Sequence, residues 1–488
     1  MEYIITDRKP EKLFHFFEDI SAIPRGSKNE KAISDYLVTF AKKRNLWVYQ
    51  DTMHNIIIKK AGCNGGENAA PVMLQGHLDM VCEKRADTDH DFTSEGLRLL
   101  EKDGILTADG TTLGADNAVA IALMLTLLDD SALSHPPLEC VFTTEEEIGL
   151  GGAKELDKSL IAARTMINMD SEEEGVATVS CAGGVRIELI RPIQRKQEKG
   201  TLLVLDLTGL LGGHSGMDIQ KERANANLLM ARVLMNLLTK TDGMLVNVCG
   251  GSKDNAIPRE CLASILYKDE RQAQDASCTA QTLLNIIALE LEGFEPGFSC
   301  KISIHPNETA RVVSKEDTQA FLGAILLAPN GVQKRNINQH GFVVTSSNLG
   351  VIRTNDSTLH IVLSPRSSCS SLQEEIKERI LLLARTFGFT VECSGEYPGW
   401  DFQEHSRIRT VFQKAYQKLF NRELRIEAIH AGLECGLFSD AIPGLDAIAV
   451  GPSIYNCHTP DESLPLDSFE RFYQLMIAVL QNLAVISE

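Results

Sequence analysis

Short β-rich apolar runs alternate with helix-length stretches through roughly the first 180 residues, and this alternation restricts that part of the chain to an α/β domain. The runs 55–58, 72–75, 138–143 and 166–169 read as strands. Between them, 30–44 reads as a helix with apolar Ile33, Leu37, Val38 and Ala41, and 117–128 as a helix that is apolar nearly all round and therefore buried. From about residue 184 the rhythm becomes strand, helix, strand, strand, helix, strand, with strands expected near 201–208, 244–249, 262–267 and 298–306. That is the order of a split βαβ unit. A shorter series of the same kind runs from Ser314 to Cys393, so the middle of the chain reads as an α+β domain of two related halves. After the turn-rich Tyr397-Pro398-Gly399-Trp400, a helix at 406–419 and a strand at 446–450 resume the first pattern. The expected organisation is a first domain in two parts, 1–184 and 397–488, with a second domain, 185–396, inserted into it.

Composition narrows the functional classes. The 488 residues carry 48 Lys plus Arg against 66 Asp plus Glu, and a net charge of −18 argues against a protein that binds nucleic acid by neutralising phosphates. The longest apolar stretches, 119–128 and 321–328, fall short of the roughly 18 to 20 residues of a membrane span. The N-terminal residues lack the basic start and apolar run of a secretory signal, so a cytoplasmic location is expected. The 12 cysteines show no C-x-x-C pair and no regular spacing, which reads as reduced thiols. The expected partners are small molecules or cations.

Polar residues gather where the predicted strands end, the place where open α/β sheets collect ligands. Gln75-Gly76-His77-Leu78-Asp79-Met80 sets His77 and Asp79 on one side of an extended chain, so that Asp79 can accept the ring N–H of a metal-binding His77. Asp116 opens the buried helix, where an Asp is by default an N-cap. Thr143-Thr144-Glu145-Glu146-Glu147-Ile148-Gly149 places three carboxylates directly after an apolar strand; consecutive carboxylates repel unless cations neutralise them, and packing gives no reason for them. Asp170 stands at another strand end, and a last polar loop, Tyr455 to Glu462, contains His458. Two histidines and several carboxylates form an N/O donor set that suits zinc and, less tightly, manganese or cobalt.

Several motifs in order carry a family resemblance: Gly76-His77-Leu78-Asp79-Met80-Val81, Gly110-Thr111-Thr112-Leu113-Gly114-Ala115-Asp116-Asn117, Asp170-Ser171-Glu172-Glu173-Glu174-Gly175, Cys181-Ala182-Gly183-Gly184, Gly212-Gly213-His214-Ser215-Gly216, Asn255-Ala256-Ile257-Pro258-Arg259-Glu260 and His430-Ala431-Gly432-Leu433-Glu434-Cys435-Gly436. Over nearly its whole length the chain resembles the Xaa-His dipeptidases of the two-zinc aminopeptidase/carboxypeptidase clan. The resemblance implies an α/β catalytic domain with an inserted α+β lid of two ferredoxin-like halves, two zinc ions per chain with cobalt or manganese as substitutes, and a homodimer. It makes Asp116 the carboxylate shared by both metals, with His77 and Asp170 on one metal, Glu147 and His458 on the other, and Asp79 behind His77. The family's Glu-Glu-x-Gly pattern falls on Glu146-Glu147-Ile148-Gly149, so Glu146 becomes the general base and Glu145 stays outside the ligand set. A cis peptide is expected between Asp116 and Asn117.

In the inserted domain the resemblance gives His214 to the developing oxyanion, and Asn255 and Arg366 to substrate, Arg366 pairing with a terminal carboxylate. On the residues alone, Gly-Gly-His-Ser-Gly reads first as a turn with a surface His, and Arg366 as a surface charge. His430 and Glu434 receive no chemistry. The implied reaction is hydrolysis of unblocked dipeptides, Xaa-His and carnosine-like β-alanyl-histidine among them, by a water held between the zinc ions. The alternatives are hydrolysis of N-acyl amino acids, a broad-specificity dipeptidase, and a metal-binding scaffold without catalysis, the last opposed by the intact Glu146.

Overall fold

The computed structural model describes residues 3–337 and 341–485. Two compact units divide the chain: Met1–Ser180 with Phe402–Ala428 and Leu433–Glu488, and Cys181–Asp401 with Ile429–Gly432.

The first unit is built on an eight-stranded sheet in the order Trp47–Gln50, Ile56–Lys60, Leu138–Thr143, Val72–His77, Thr165–Asn168, Asp446–Ala449, Val176–Cys181, Arg425–Ile429. Its centre is parallel: Val72–His77 pairs in parallel with Leu138–Thr143 and with Thr165–Asn168, which in turn pairs in parallel with Asp446–Ala449. Every residue of Val72–His77 and of Leu138–Thr143 is buried, as expected of strands covered on both faces. In register, His77 stands opposite Thr143 and Gln75 opposite Asn168, so three strands reach their carboxyl ends at one level. The polar residues that follow them therefore meet.

The apolar helix spans Ala115–Asp129 and is buried from Ala115 to Leu128. Its opening is irregular. Gly114 has φ 63°, Asp116 and Asn117 lie outside helical φ/ψ, and the Asp116–Asn117 peptide is cis. Asp116 is not the N-cap: that position falls on Gly114, Asp116 lies inside the first turn, and Glu462 accepts the N–H groups of Leu113, Gly114 and Ala115. No helix among the described residues is long and apolar enough to cross a membrane.

The second unit holds a nine-stranded antiparallel sheet in the order Ser299–Val313, Arg195–Thr208, Cys261–Tyr267, Met244–Gly250, Phe342–Thr354, Thr358–Ser367, Gly183–Pro192, Thr390–Tyr397, with Gly331–Asn336 paired to Phe342–Thr354. The first four strands and the helices Ala226–Lys240 and Glu270–Glu290 form one ferredoxin-like half with sequence order 4-1-3-2. The other half repeats that order in mirror sequence along the sheet, using the helices Lys315–Leu327 and Ser370–Thr386. Its first strand is Gly183–Pro192, which precedes the whole of the other half in the chain and pairs with Thr358–Ser367 and Thr390–Tyr397. The series beginning at Ser314 is shorter because its opening strand is contributed from upstream.

Candidate metal centre and its surroundings

His77 ends its strand with its side chain 1% exposed. Its Nε2 lies 2.9 Å from Asp116 Oδ1 and 3.3 Å from Asp170 Oδ1. Its Nδ1 faces the main-chain oxygen of Asp79 at 3.1 Å and Asp79 Oδ1 at 3.4 Å, which fixes the ring so that Nε2 is presented to the two carboxylates. The Asp79 carboxylate does more than back the imidazole. It accepts the N–H of Glu146 (3.0 Å), the N–H of Glu147 (3.2 Å) and the Ser27 hydroxyl (2.8 Å), tying the histidine loop to the glutamate turn.

The other oxygen of Asp116, Oδ2, lies 3.2 Å from His458 Nε2, and the same nitrogen is 3.2 Å from Glu147 Oε1. Donor atoms of His77, Asp116 and Asp170, and likewise those of Asp116, Glu147 and His458, lie within 4.8 Å of one another. Asp116 belongs to both sets. Asn117 Nδ2 donates to Asp170 Oδ1 at 2.8 Å and steadies that carboxylate. Glu145 takes a left-handed conformation, φ 51°, with its N–H on Glu30 Oε1, and joins none of the cation-sized donor groups among the described residues.

The electrostatics fit a cationic occupant. Buried Glu147 Oε1 is met by the His458 imidazole at 3.2 Å. Hydrogen bonds to Asp116 and Glu147 push His458 up to about 11, and although burial opposes it, Asp170 and Asp116 raise His77 well above the ordinary imidazole value. Burial, with Asp170, Glu434 and Glu147 adding to it against the pull of His77, pushes the Glu146 carboxyl well up. So many carboxylates around two imidazoles constitute a site short of positive charge, and its oxygen and imidazole donors suit zinc, cobalt or manganese.

Glu434 lies beneath this cluster, fully buried. It accepts from Gln75 Nε2 and, at 2.7 Å, from the Thr143 hydroxyl, while Gln75 Oε1 accepts from Asn168 Nδ2 at 2.6 Å. One carboxyl thereby links the ends of all three central strands, and burial raises its pKa to about 7. Sequence reasoning missed Gln75 and Asn168 in this role, although Gln75 opens the motif that holds His77 and Asn168 lies in the expected strand 166–169. Nothing in the sequence around Arg25, fully buried beside the site, sets it apart.

In the second unit, His214 lies on a two-residue strand, Gly213–His214, paired with Ala256–Ile257, and the adjacent Asn255 carbonyl accepts the Ser215 N–H at 2.9 Å. His214 Nδ1 accepts the N–H groups of Gly216 (3.2 Å) and Met217 (3.1 Å), so the ring proton sits on Nε2. Burial, then the charge of Arg366, lowers its pKa and keeps it a neutral N–H donor. Arg366 is 8% exposed; Nη1 donates to the Tyr397 hydroxyl at 2.8 Å and Nε has no partner. His430, also buried, shares a 2.7 Å hydrogen bond with the Ser346 hydroxyl.

Residues 73–482 match the family described as peptidase family M20/M25/M40. The chain is 34% identical over 481 residues to a protein of Escherichia coli (strain K12) named cytosol non-specific dipeptidase, covering 98% of this chain and 99% of that one. The crystal structure of aminoacylhistidine dipeptidase from Vibrio alginolyticus superposes with a TM-score of 0.91 at 35% identity, over 98% of each chain. Aminopeptidase PepT from Bacillus cereus superposes with a TM-score of 0.56 at 16% identity, over 97% of this chain and 98% of that one, a likeness of fold alone. The chain belongs to peptidase family M20/M25/M40, a family of metal-dependent peptidases.

Proposed function

We propose that this protein is a two-zinc metallo-dipeptidase acting on unblocked dipeptides, Xaa-His and β-alanyl-histidine among them. The carrying observation is the Asp116 carboxylate, whose two oxygens each face a different imidazole at 2.9 and 3.2 Å. On this reading His77, Asp116 and Asp170 hold one ion, and Asp116, Glu147 and His458 the other, with cobalt or manganese as substitutes. When bound, the ions polarise the scissile carbonyl and acidify the attacking water. Glu146 accepts the proton of that water and passes it to the leaving amine, a task suited to a carboxyl whose pKa is pushed up. His214 Nε2–H donates to the carbonyl oxygen as it gains charge. Arg366, with an unpartnered Nε, pairs with the terminal carboxylate through a two-pronged hydrogen bond, and Asn255 contacts substrate beside His214. Asp79 holds the His77 ring and the Glu146 turn together.

The names of the two close relatives divide on specificity: one is called non-specific, the other aminoacylhistidine-directed. The E. coli name favours a broad dipeptidase as the second reading, and also supports the cytoplasm as the location. A homodimer is part of the proposal through family likeness. The test is elemental analysis together with hydrolysis of a panel of free dipeptides, N-acylated dipeptides and tripeptides. Two zinc equivalents and cleavage confined to unblocked dipeptides are expected. Preference for N-acyl substrates, or hydrolysis of none, overturns the reading, and equal rates on Xaa-His and other dipeptides select the broad one.

A further inference from the structure

Arg25 and Glu462 lie next to the metal-centre loops and belong neither to the donor sets nor to the proton-transfer group. Glu462 is 2% exposed and Arg25 1%. Glu462 Oε2 accepts the N–H groups of Leu113 at 2.8 Å and Gly114 at 2.9 Å, and Oε1 those of Ala115 at 2.8 Å and Asp116 at 3.4 Å. Four consecutive backbone donors thus converge on one carboxylate where the chain turns into the buried helix, an anion nest filled by a side chain. The turn depends on glycine: Gly114 has φ 63°, and a Cβ there would lie 2.6 Å from Arg25 Nη2 and 2.7 Å from Met80 Sδ. From the opposite side Arg25 donates to the carbonyl of Gly114, and to those of Leu78 at 3.0 Å and Asp79 at 2.9 Å. Gly114 therefore gives its N–H to Glu462 and its carbonyl to Arg25.

The consequence concerns Asp116. An Asp at the mouth of a helix ordinarily spends its carboxylate on the free N–H groups of the first turn. Here Glu462 takes the N–H groups of Ala115 and of Asp116 itself, and the Gly114 carbonyl accepts the Ala118 N–H at 3.2 Å, while the two oxygens of Asp116 face His77 and His458. The same two side chains also join three loops that are distant in sequence. Arg25 grips the residues immediately after His77 together with the turn before Asp116, and Glu462 follows His458 by four residues in the polar loop.

We propose that Glu462 and Arg25 are positioning residues that orient the Asp116 carboxylate between the two imidazoles and thereby set the chain's affinity for its second cation. The inference rests on the reading of Asp116 as the shared ligand. Glu462→Gln is the informative change, because the amide matches the shape but places an NH₂ against two backbone N–H donors in either orientation. Groups that orient metal ligands typically alter affinity by about 10- to 100-fold.

The experiment is zinc competition against a chromophoric chelator on wild type, Glu462→Gln, Glu462→Asp and Arg25→Lys, well below each protein's melting temperature. The expected result for Glu462→Gln is one zinc held as in wild type and the second weakened by about 10- to 100-fold. Its kcat on a dipeptide should fall at limiting zinc and recover as zinc is raised, with KM within about threefold, and Glu462→Asp, which keeps both oxygens, should restore part of the affinity. Arg25→Lys carries the same expectation if Glu462→Gln does not fold. A lowered melting temperature with wild-type affinity for both ions overturns the proposal and leaves the pair a structural one. Wild type that binds fewer than two ions overturns the shared-ligand reading, and this proposal with it.

Discussion

Glu146 and Glu147 are neighbours in the chain, yet their surroundings give them different work. Glu147 Oε1 lies 3.2 Å from the His458 imidazole, whereas Glu146 is a carboxyl pushed up by burial, grouped with His77 and Glu147 but absent from every donor group that contains Asp116. Glu146→Gln should therefore keep both metal equivalents and lose about 10²- to 10⁴-fold in turnover, and Glu147→Gln should lose metal first. Metal analysis alongside single-turnover rates checks this, and exchanged phenotypes would assign the base to the other glutamate. A second prediction concerns His430. Burial, then the charge of Arg366, lowers its pKa to about 3, below the value of 6.5 that it has when exposed. Between those values the unfolded chain binds a proton that the folded chain refuses. The stability held above pH 6.5 is therefore lost as pH falls toward 3, by about 1.4 kcal/mol for each pH unit. Urea midpoints for His430→Gln should show a shallower decline than wild type over that window; parallel curves would refute it.

Among the elements, the helix Ala115–Asp129 has most to position. Apolar on every side, it sits in the core of the first unit and delivers Asp116 at its irregular first turn. Leu123 in its middle is fully buried, so Leu123→Ala should cost about 2 to 5 kcal/mol in chemical unfolding. Zinc affinity should change little in the same variant, because the turn before Asp116 is held by Arg25 and Glu462 rather than by the helix body. A large loss of zinc without loss of stability would contradict this division.

At the scale of the whole molecule, each unit has its own hydrophobic core, and neither core draws on the candidate ligands His77, Asp116, Glu147, Asp170 and His458. Removing metal with a chelator should abolish hydrolysis while far-ultraviolet circular dichroism and cooperative unfolding persist. Collapse of the dichroism on chelation would mean that the metal supports the fold as well as the chemistry.

The sequence by itself determined the α/β class, the succession of strands and helices, and the residue types gathered at strand ends. Hydrophobic periodicity is a local signal, set by neighbours two to four positions apart, and the strand Leu138–Thr143 was legible to the residue. Most other predicted boundaries moved by one or two positions, as at Ile56–Lys60, but Arg195–Thr208 begins six residues earlier and Ser299–Val313 ends seven later than expected, because the two strands pair with each other beyond their apolar runs. Tertiary structure alone decided that Gly183–Pro192 completes the downstream half of the second unit, because strand partners are chosen across the fold. It alone decided that Glu462 caps the turn at Gly114 from 348 positions away, and that Glu434 reaches Gln75 across 359. A buried charge must find hydrogen-bond partners wherever the folded chain supplies them, and no spacing along the sequence encodes that choice.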